Sequence, residues 1–168
     1  RYKARAVMSR ILSLSLRRGW CRQNPLLRVD APSFREQVIA VLNPEEIKCL
    51  RNAAESPEFR DCAPAVWIMM YAGIRPGEVA RLRWCDVDME ERVISVRPLA
   101  SKTGGARHVT VQPVLERLLT GYGIPEGNRP LCPPNWPLRW RRFRKEAGWG
   151  SGGRFRAWRP DVLRHTYA

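Results

Sequence analysis

Gly73-Ile74-Arg75-Pro76-Gly77-Glu78-Val79 and, two residues later, Leu82-Arg83-Trp84-Cys85-Asp86-Val87-Asp88 form the stretch that decides how this chain folds. Before it, Ala63 to Tyr71 is an apolar run of helical length that ends near Gly73. Pro76 suits the first turn of a new helix, where its missing N–H is no loss, and this helix is expected to run to about Leu82. Asp86-Val87-Asp88 then turns the chain into a short strand, Val93 to Val96. Ser101-Lys102-Thr103-Gly104-Gly105 supplies a turn, and His108 to Val111 reads as the returning strand.

Outward from this stretch, helices dominate. Asn43-Pro44-Glu45-Glu46 offers a capping residue, a proline at the first helical position and a glutamate at the third. Beyond Pro113, Val114, Leu115, Leu118 and Leu119 keep helical spacing. A Pro/Gly-rich loop comes next, and then a strongly basic helix carrying Trp136, Trp140 and Phe143. There is no internal repeat. The fold class expected is mainly α with a small antiparallel β-sheet (α+β).

The start of the chain reads as one helix, with Val7, Ile11 and Leu14 at i, i+4 and i+7 beside Leu12 and Leu16, and Gly19 as its left-handed stop. Arg1, Arg5, Arg10 and Arg17 occupy its other face. A lone amphipathic helix cannot bury its stripe, so its packing partners are expected elsewhere. Asn24-Pro25 and Ala31-Pro32 punctuate the segment after this helix. The expected organisation is a helix-bearing segment at 1–30, a linker at 31–42 and a compact domain at 43–168.

With 168 residues and 44% apolar side chains the chain can bury one real core. Its 30 Lys+Arg against 16 Asp+Glu give a net charge of +14, which favours a polyanion. The distribution is more telling. Residues 1 to 30 hold eight basic side chains against Asp30, residues 139 to 165 hold nine against Glu146 and Asp161, and residues 31 to 138 carry thirteen of each sign. Two basic ends around a neutral middle suit separate elements touching one long anion.

No stretch of 18 apolar residues occurs, and residues 1 to 20 are too rich in arginine for a secretory signal, so a cytoplasmic protein with no membrane partner is expected. Cys21, Cys49, Cys62, Cys85 and Cys132 are scattered and odd in number, which predicts buried free thiols rather than a metal site or disulfides.

Three motifs carry a family resemblance. The stretch from Gly73 to Asp88 resembles the first arginine box of the tyrosine recombinases, the phage integrase family. Ser101 to Val109 resembles that family's β-hairpin lysine segment, and Pro160-Asp161-Val162-Leu163-Arg164-His165-Thr166-Tyr167-Ala168 resembles the opening of its second arginine box. The likeness runs from about residue 43 to the end, and residues 1 to 30 are similar to the last helix of the family's N-terminal core-binding, DNA-clamping domain. The resemblance implies a C-terminally truncated catalytic domain. It implies site-specific DNA recombination and integration through a 3′-phosphotyrosine, without metal or other cofactor. Double-stranded DNA and other recombinase subunits are the implied partners, and a prokaryotic cell, phage or mobile element the implied origin.

The residue types suit that chemistry. Attack on a DNA phosphate builds negative charge on the nonbridging oxygens, and two guanidinium forks, at Arg75 and Arg164, can hold them without losing charge. The departing 5′ oxygen needs a proton that a lysine can give and an arginine cannot, a role that fits Lys102, one of only four lysines beside twenty-six arginines. Glu78 and Asp86 are expected to stand behind the phosphate contacts or to support the fold, and so to orient Arg75. Arg5, Arg10, Arg17, Arg107, Arg139, Arg141, Arg142, Arg144 and Lys145 are the expected DNA contacts.

Two departures stand out. Where the family has His or sometimes Lys three residues before the second arginine, this chain has Asp161, which repels a phosphate and is expected to cap the final helix or orient Arg164. None of Tyr2, Tyr71, Tyr122 and Tyr167 matches the nucleophile's context, so no strand cleavage is expected from residues 1–168. His165 matches the second box, as a catalytic group or as a buried, hydrogen-bonded histidine. Two other readings remain: a non-catalytic DNA-binding remnant or regulator, and an RNA-binding module stacking bases on Trp136, Trp140, Trp149 and Trp158.

Overall fold

The computed structural model describes residues 2–30, 39–97, 105–125, 127–150 and 152–167. It divides into two compact units, residues 1–38 and 39–168.

The first unit is built on α1 (Tyr2–Arg17), which closes on Gly19 at φ +72°. After it, Asn24 is buried and organises a 3₁₀ turn, Pro25–Arg28: its Oδ1 accepts Leu26 N–H at 3.0 Å. Arg5 reaches from the helix to this turn, donating to the carbonyls of Leu26 at 3.1 Å and Asp30 at 3.3 Å. Val7, Ile11 and Leu14 stay exposed, as the spacing of a lone amphipathic helix requires.

In the second unit, α2 (Pro44–Glu55) begins with a reciprocal cap. Glu46 N–H donates to Asn43 Oδ1, and Asn43 N–H to Glu46 Oε2, both at 2.8 Å. The 3₁₀ turn Arg60–Cys62 leads into α3 (Ala63–Tyr71), whose residues Ala63 to Met70 are all buried. A helix apolar on every side belongs at the centre of a core. Side chains such as Ile68 and Met69 each contribute about 1.5–3 kcal/mol there. α3 thus becomes the post against which α2, α5 and α7 pack.

Helix α4 (Pro76–Val79) is shorter than the expected run to Leu82. The cause lies across the chain: Leu82 C=O accepts Leu131 N–H at 3.0 Å and Trp84 N–H donates to Arg129 C=O at 3.0 Å, so residues 82–84 are drawn into an extended bridge with residues 129–131. A 3₁₀ turn, Trp84–Asp86, then delivers the chain to a sheet of order β1 (Val87–Asp88), β2 (Val93–Val96), β3 (Arg107–Thr110). All neighbours are antiparallel, with Ile94 opposite Val109 and Val96 opposite Arg107. The returning strand starts one residue earlier than expected. The turn read at Ser101 to Gly105 lies, except for Gly105, outside the described residues.

Helix α5 (Pro113–Tyr122) buries Leu115 and Leu119, and α6 (Trp136–Glu146) buries Phe143 against Phe59. The final helix, α7 (Val162–Tyr167), buries Val162 and Leu163. Its Thr166 hydroxyl accepts Leu42 N–H at 3.0 Å and so ties the two ends of this unit together. The thiols depart from expectation. Cys62 and Cys132 are buried, Cys21 and Cys49 are half-buried, and Cys85 is exposed. No helix is long and apolar enough to cross a membrane, and no metal-ligating cluster occurs among the described residues.

Candidate phosphate site

Arg75 sits where α3 has ended and α4 begins. Gly73 makes the bend at φ +60°, and Glu78, three residues into the turn, accepts Arg75 N–H through Oε2 at 3.1 Å. The same carboxylate faces the Arg75 guanidinium, Oε1 to Nη1, at 3.4 Å. Glu78 is 2% exposed and Arg75 37%, so the carboxylate is interior while the cation reaches outward.

Arg107 holds Glu78 more tightly. From the start of β3 it donates Nη1 to Oε1 at 3.0 Å and Nη2 to Oε2 at 2.6 Å, a two-pronged ion pair. Burial alone would raise the Glu78 carboxyl, but the hydrogen bonds from Arg107 and from the Arg75 amide outweigh it and hold the group below its ordinary range.

Asp86 supports the fold, with Arg97 and not Arg75 as its ion-pair partner. It is buried, caps the 3₁₀ turn by accepting Arg83 N–H at 2.9 Å, and pairs with Arg97 Nε at 2.6 Å. Arg97 also donates to Cys85 Sγ at 3.3 Å. The sequence reading missed Arg97. The signal available was that a buried aspartate needs a counterion, and Arg97 comes directly after the strand that pairs beside it.

Arg164 is half-buried in α7, and its Nη1 is buried with no hydrogen-bond partner among the described residues. One helical turn on, the Tyr167 ring lies against Gly73, two residues from Arg75. The packing of α7 on α3 therefore joins the second arginine motif to the first. His165 is exposed, which removes the buried-histidine reading. Asp161 is exposed and enters the helix through its carbonyl, which accepts His165 N–H at 3.0 Å. Lys102 lies outside the described residues.

The expected DNA contacts separate into engaged and open groups. Arg139 pairs with Asp61 at 2.5 Å and lies 5.3 Å over the Phe59 ring; Arg142 pairs with Glu58 at 3.2 Å. Arg144 lies against both Trp140 and Trp158, 5.6 and 5.4 Å from their ring centres, and burial pulls its guanidinium below the usual arginine range. Arg5 is spent on the turn after α1 and Arg17 donates Nε to Ser13 C=O at 3.4 Å while remaining exposed, whereas Arg10, Arg141 and Lys145 are exposed.

The tryptophans face one another. Trp136 stacks on Trp140 at 5.3 Å, Trp140 on Phe143 at 5.4 Å, and Trp158 meets Trp149 edge-on at 5.2 Å. Rings committed to each other in this way leave little face for bases. Tyr122 is likewise stacked on Trp84, and burial pushes its hydroxyl up, opposite to what an attacking phenolate needs.

Comparison with known proteins bears on the family and the fold. The profile described as Phage integrase family matches residues 40–168. Among solved structures, XerA recombinase is similar at 27% identity and TM-score 0.55, over 82% of this chain and 50% of that one. A λ integrase (75–356) dimer bound to a COC′ core site gives 19% identity and TM-score 0.69, over 99% and 64%. The Tn1549 transposon integrase in complex with a circular intermediate DNA gives 16% identity and TM-score 0.67, over 97% and 63%. No match was found among curated protein sequences. The chain spans half of the XerA chain and just under two thirds of the two solved integrase chains, which are themselves parts of those integrases. By its matched profile and its fold, this chain belongs to the phage integrase family, the tyrosine recombinases, and carries their catalytic-domain architecture.

Proposed function

We propose that this domain binds duplex DNA and clamps one phosphodiester between Arg75 and Arg164, as the phosphate-gripping part of a site-specific recombinase acting in the cytoplasm with other recombinase subunits. The observation that carries this reading is the buried Nη1 of Arg164, without a hydrogen-bond partner among the described residues, in a helix packed against the Arg75 segment. A buried donor without an acceptor costs about 1–3 kcal/mol, and a phosphate oxygen would satisfy it. Both cations are permanent, both can bind bidentately, and both strengthen as charge builds on the nonbridging oxygens.

Lys102 is proposed to protonate the departing 5′ oxygen, on the strength of its motif. Asp161 leaves the usual cationic donor missing, and none of the four tyrosines is suited to attack. Residues 1–168 are therefore expected to bind DNA without cutting it. A covalent protein–DNA adduct formed on a nicked duplex would refute that expectation.

The test of the binding reading is competition between duplex DNA and single-stranded RNA at matched salt. Preference for the duplex, with affinity falling steeply as salt rises, supports it. Preference for RNA would overturn it.

A further inference from the structure

Resting on Arg75 as a phosphate ligand, the geometry around Glu78 assigns a role to Arg107. One buried carboxylate serves two guanidinium groups, unequally. Arg107 takes both oxygens, at 3.0 and 2.6 Å, while the Arg75 side chain stands at 3.4 Å and is anchored mainly by its backbone N–H. The first arrangement is a charge-assisted fork; the second is at the outer limit of a hydrogen bond.

Charge balance explains why the inequality matters. Two guanidinium groups and one carboxylate leave one positive charge in excess, and since Arg107 takes both carboxylate oxygens closely, Arg75 is the less neutralised of the two. Without Arg107, Glu78 and Arg75 would close into a neutral pair, and a phosphate would have to take Arg75 from a buried carboxylate. We propose that Arg107 is a positioning residue for the phosphate site: it occupies Glu78, so that Arg75 is aimed by the carboxylate yet keeps its charge free for the phosphate. Strand pairing supports the assignment. Arg107 sits opposite Val96 at the beginning of β3, which brings it to Glu78 by sheet register rather than by a surface side chain's chance approach.

The competing account is the one drawn from sequence, in which Arg107 touches DNA directly. Equilibrium binding of a labelled duplex to the chain, over a salt series, separates them. Arg75→Ala should weaken binding by about tenfold, the scale of one charge-assisted hydrogen bond to phosphate. Arg107→Ala should weaken it comparably, and adding Glu78→Gln should restore most of the loss, because the carboxylate that captures Arg75 is gone. In an Arg75→Ala background, Arg107→Ala should change affinity by less than about twofold.

If Arg107 is a direct contact, its removal lowers the log–log salt slope by about 0.9 in either background and Glu78→Gln does not rescue it; that result overturns the inference. So does equal rescue by Glu55→Gln, which would make the effect one of net charge alone. Should Arg107→Ala fail to fold, Arg107→Lys keeps the charge without the fork and is expected to show a smaller loss with the same rescue. If Arg75→Ala binds like the wild type, the phosphate-site reading itself fails and this inference with it. If Arg75→Ala weakens binding but Glu78→Gln rescues nothing, only the inference fails.

Discussion

The ring of Tyr167 lies on the α-carbon of Gly73, so closely that a Cβ built there would stand 2.7 Å from the ring's Cδ1. Gly73 is also at φ +60°, where a side chain is strained regardless of space. Two constraints at one position link the segment that presents Arg75 to the helix that presents Arg164. Gly73→Ala should therefore destabilise the domain by about 2–4 kcal/mol, combining left-handed strain with overpacking. In urea unfolding, Tyr167→Ala introduced with it should recover the steric part and leave the conformational part. A Gly73→Ala protein of unchanged stability would show that the contact is not tight.

Glu78 makes a pH prediction with a defined sign. Its carboxyl is depressed in the folded protein, so the stability it supplies is present above the ordinary glutamate value of about 4.3 and is lost as pH falls through the folded value. Glu78→Gln should be less stable than the wild type at neutral pH, and the gap should close on acidification below about 4.3. Urea midpoints measured from neutral to acid pH test this; a gap that stays constant would mean that Glu78 is not ionised against Arg107.

Thiol chemistry should rank by burial. Cys62 and Cys132 are pushed up to about 12, chiefly by burial, and should stay unmodified by a thiolate-trapping reagent at mildly alkaline pH until the protein unfolds. Cys85 is exposed and should react first. Mass mapping after brief labelling reads the order directly, and early labelling of Cys132 would contradict it.

The single hydroxyl of Thr166 donates to Val162 C=O at 2.7 Å and accepts from Leu42 N–H at 3.0 Å, across 124 residues. Thr166→Val keeps the shape and removes both bonds. It should cost about 1–2 kcal/mol, the Leu42 amide losing its partner. Hydrogen exchange at Leu42 should quicken in the variant; an unchanged rate would show that the amide is protected otherwise.

Much of this was legible in the sequence, for local reasons. The cap at Asn43, the apolar run at Ala63 to Tyr71 and the strand at Val93 are set by neighbours within a few residues, and each appears where its pattern puts it. What failed depended on distant partners. The end of α4 is set by residues 129–131, some fifty positions away, and the counterion of Asp86 is Arg97 rather than Arg75. Charge counts could show that residues 139 to 165 are basic. They could not show that Arg139 and Arg142 are paired with acids from residues 58–61, or that Arg144 lies against two indoles.

The most direct test is a double-mutant cycle on duplex DNA binding with Arg75→Ala, Arg164→Ala and the two combined. If both guanidinium groups grip one phosphate, each single change should cost about tenfold or more, and the combined loss should fall clearly short of the product, since the second arginine has little left to hold. Fully multiplicative losses would place the two arginines on separate phosphates, and an Arg164→Ala protein that binds like the wild type would contradict the site altogether.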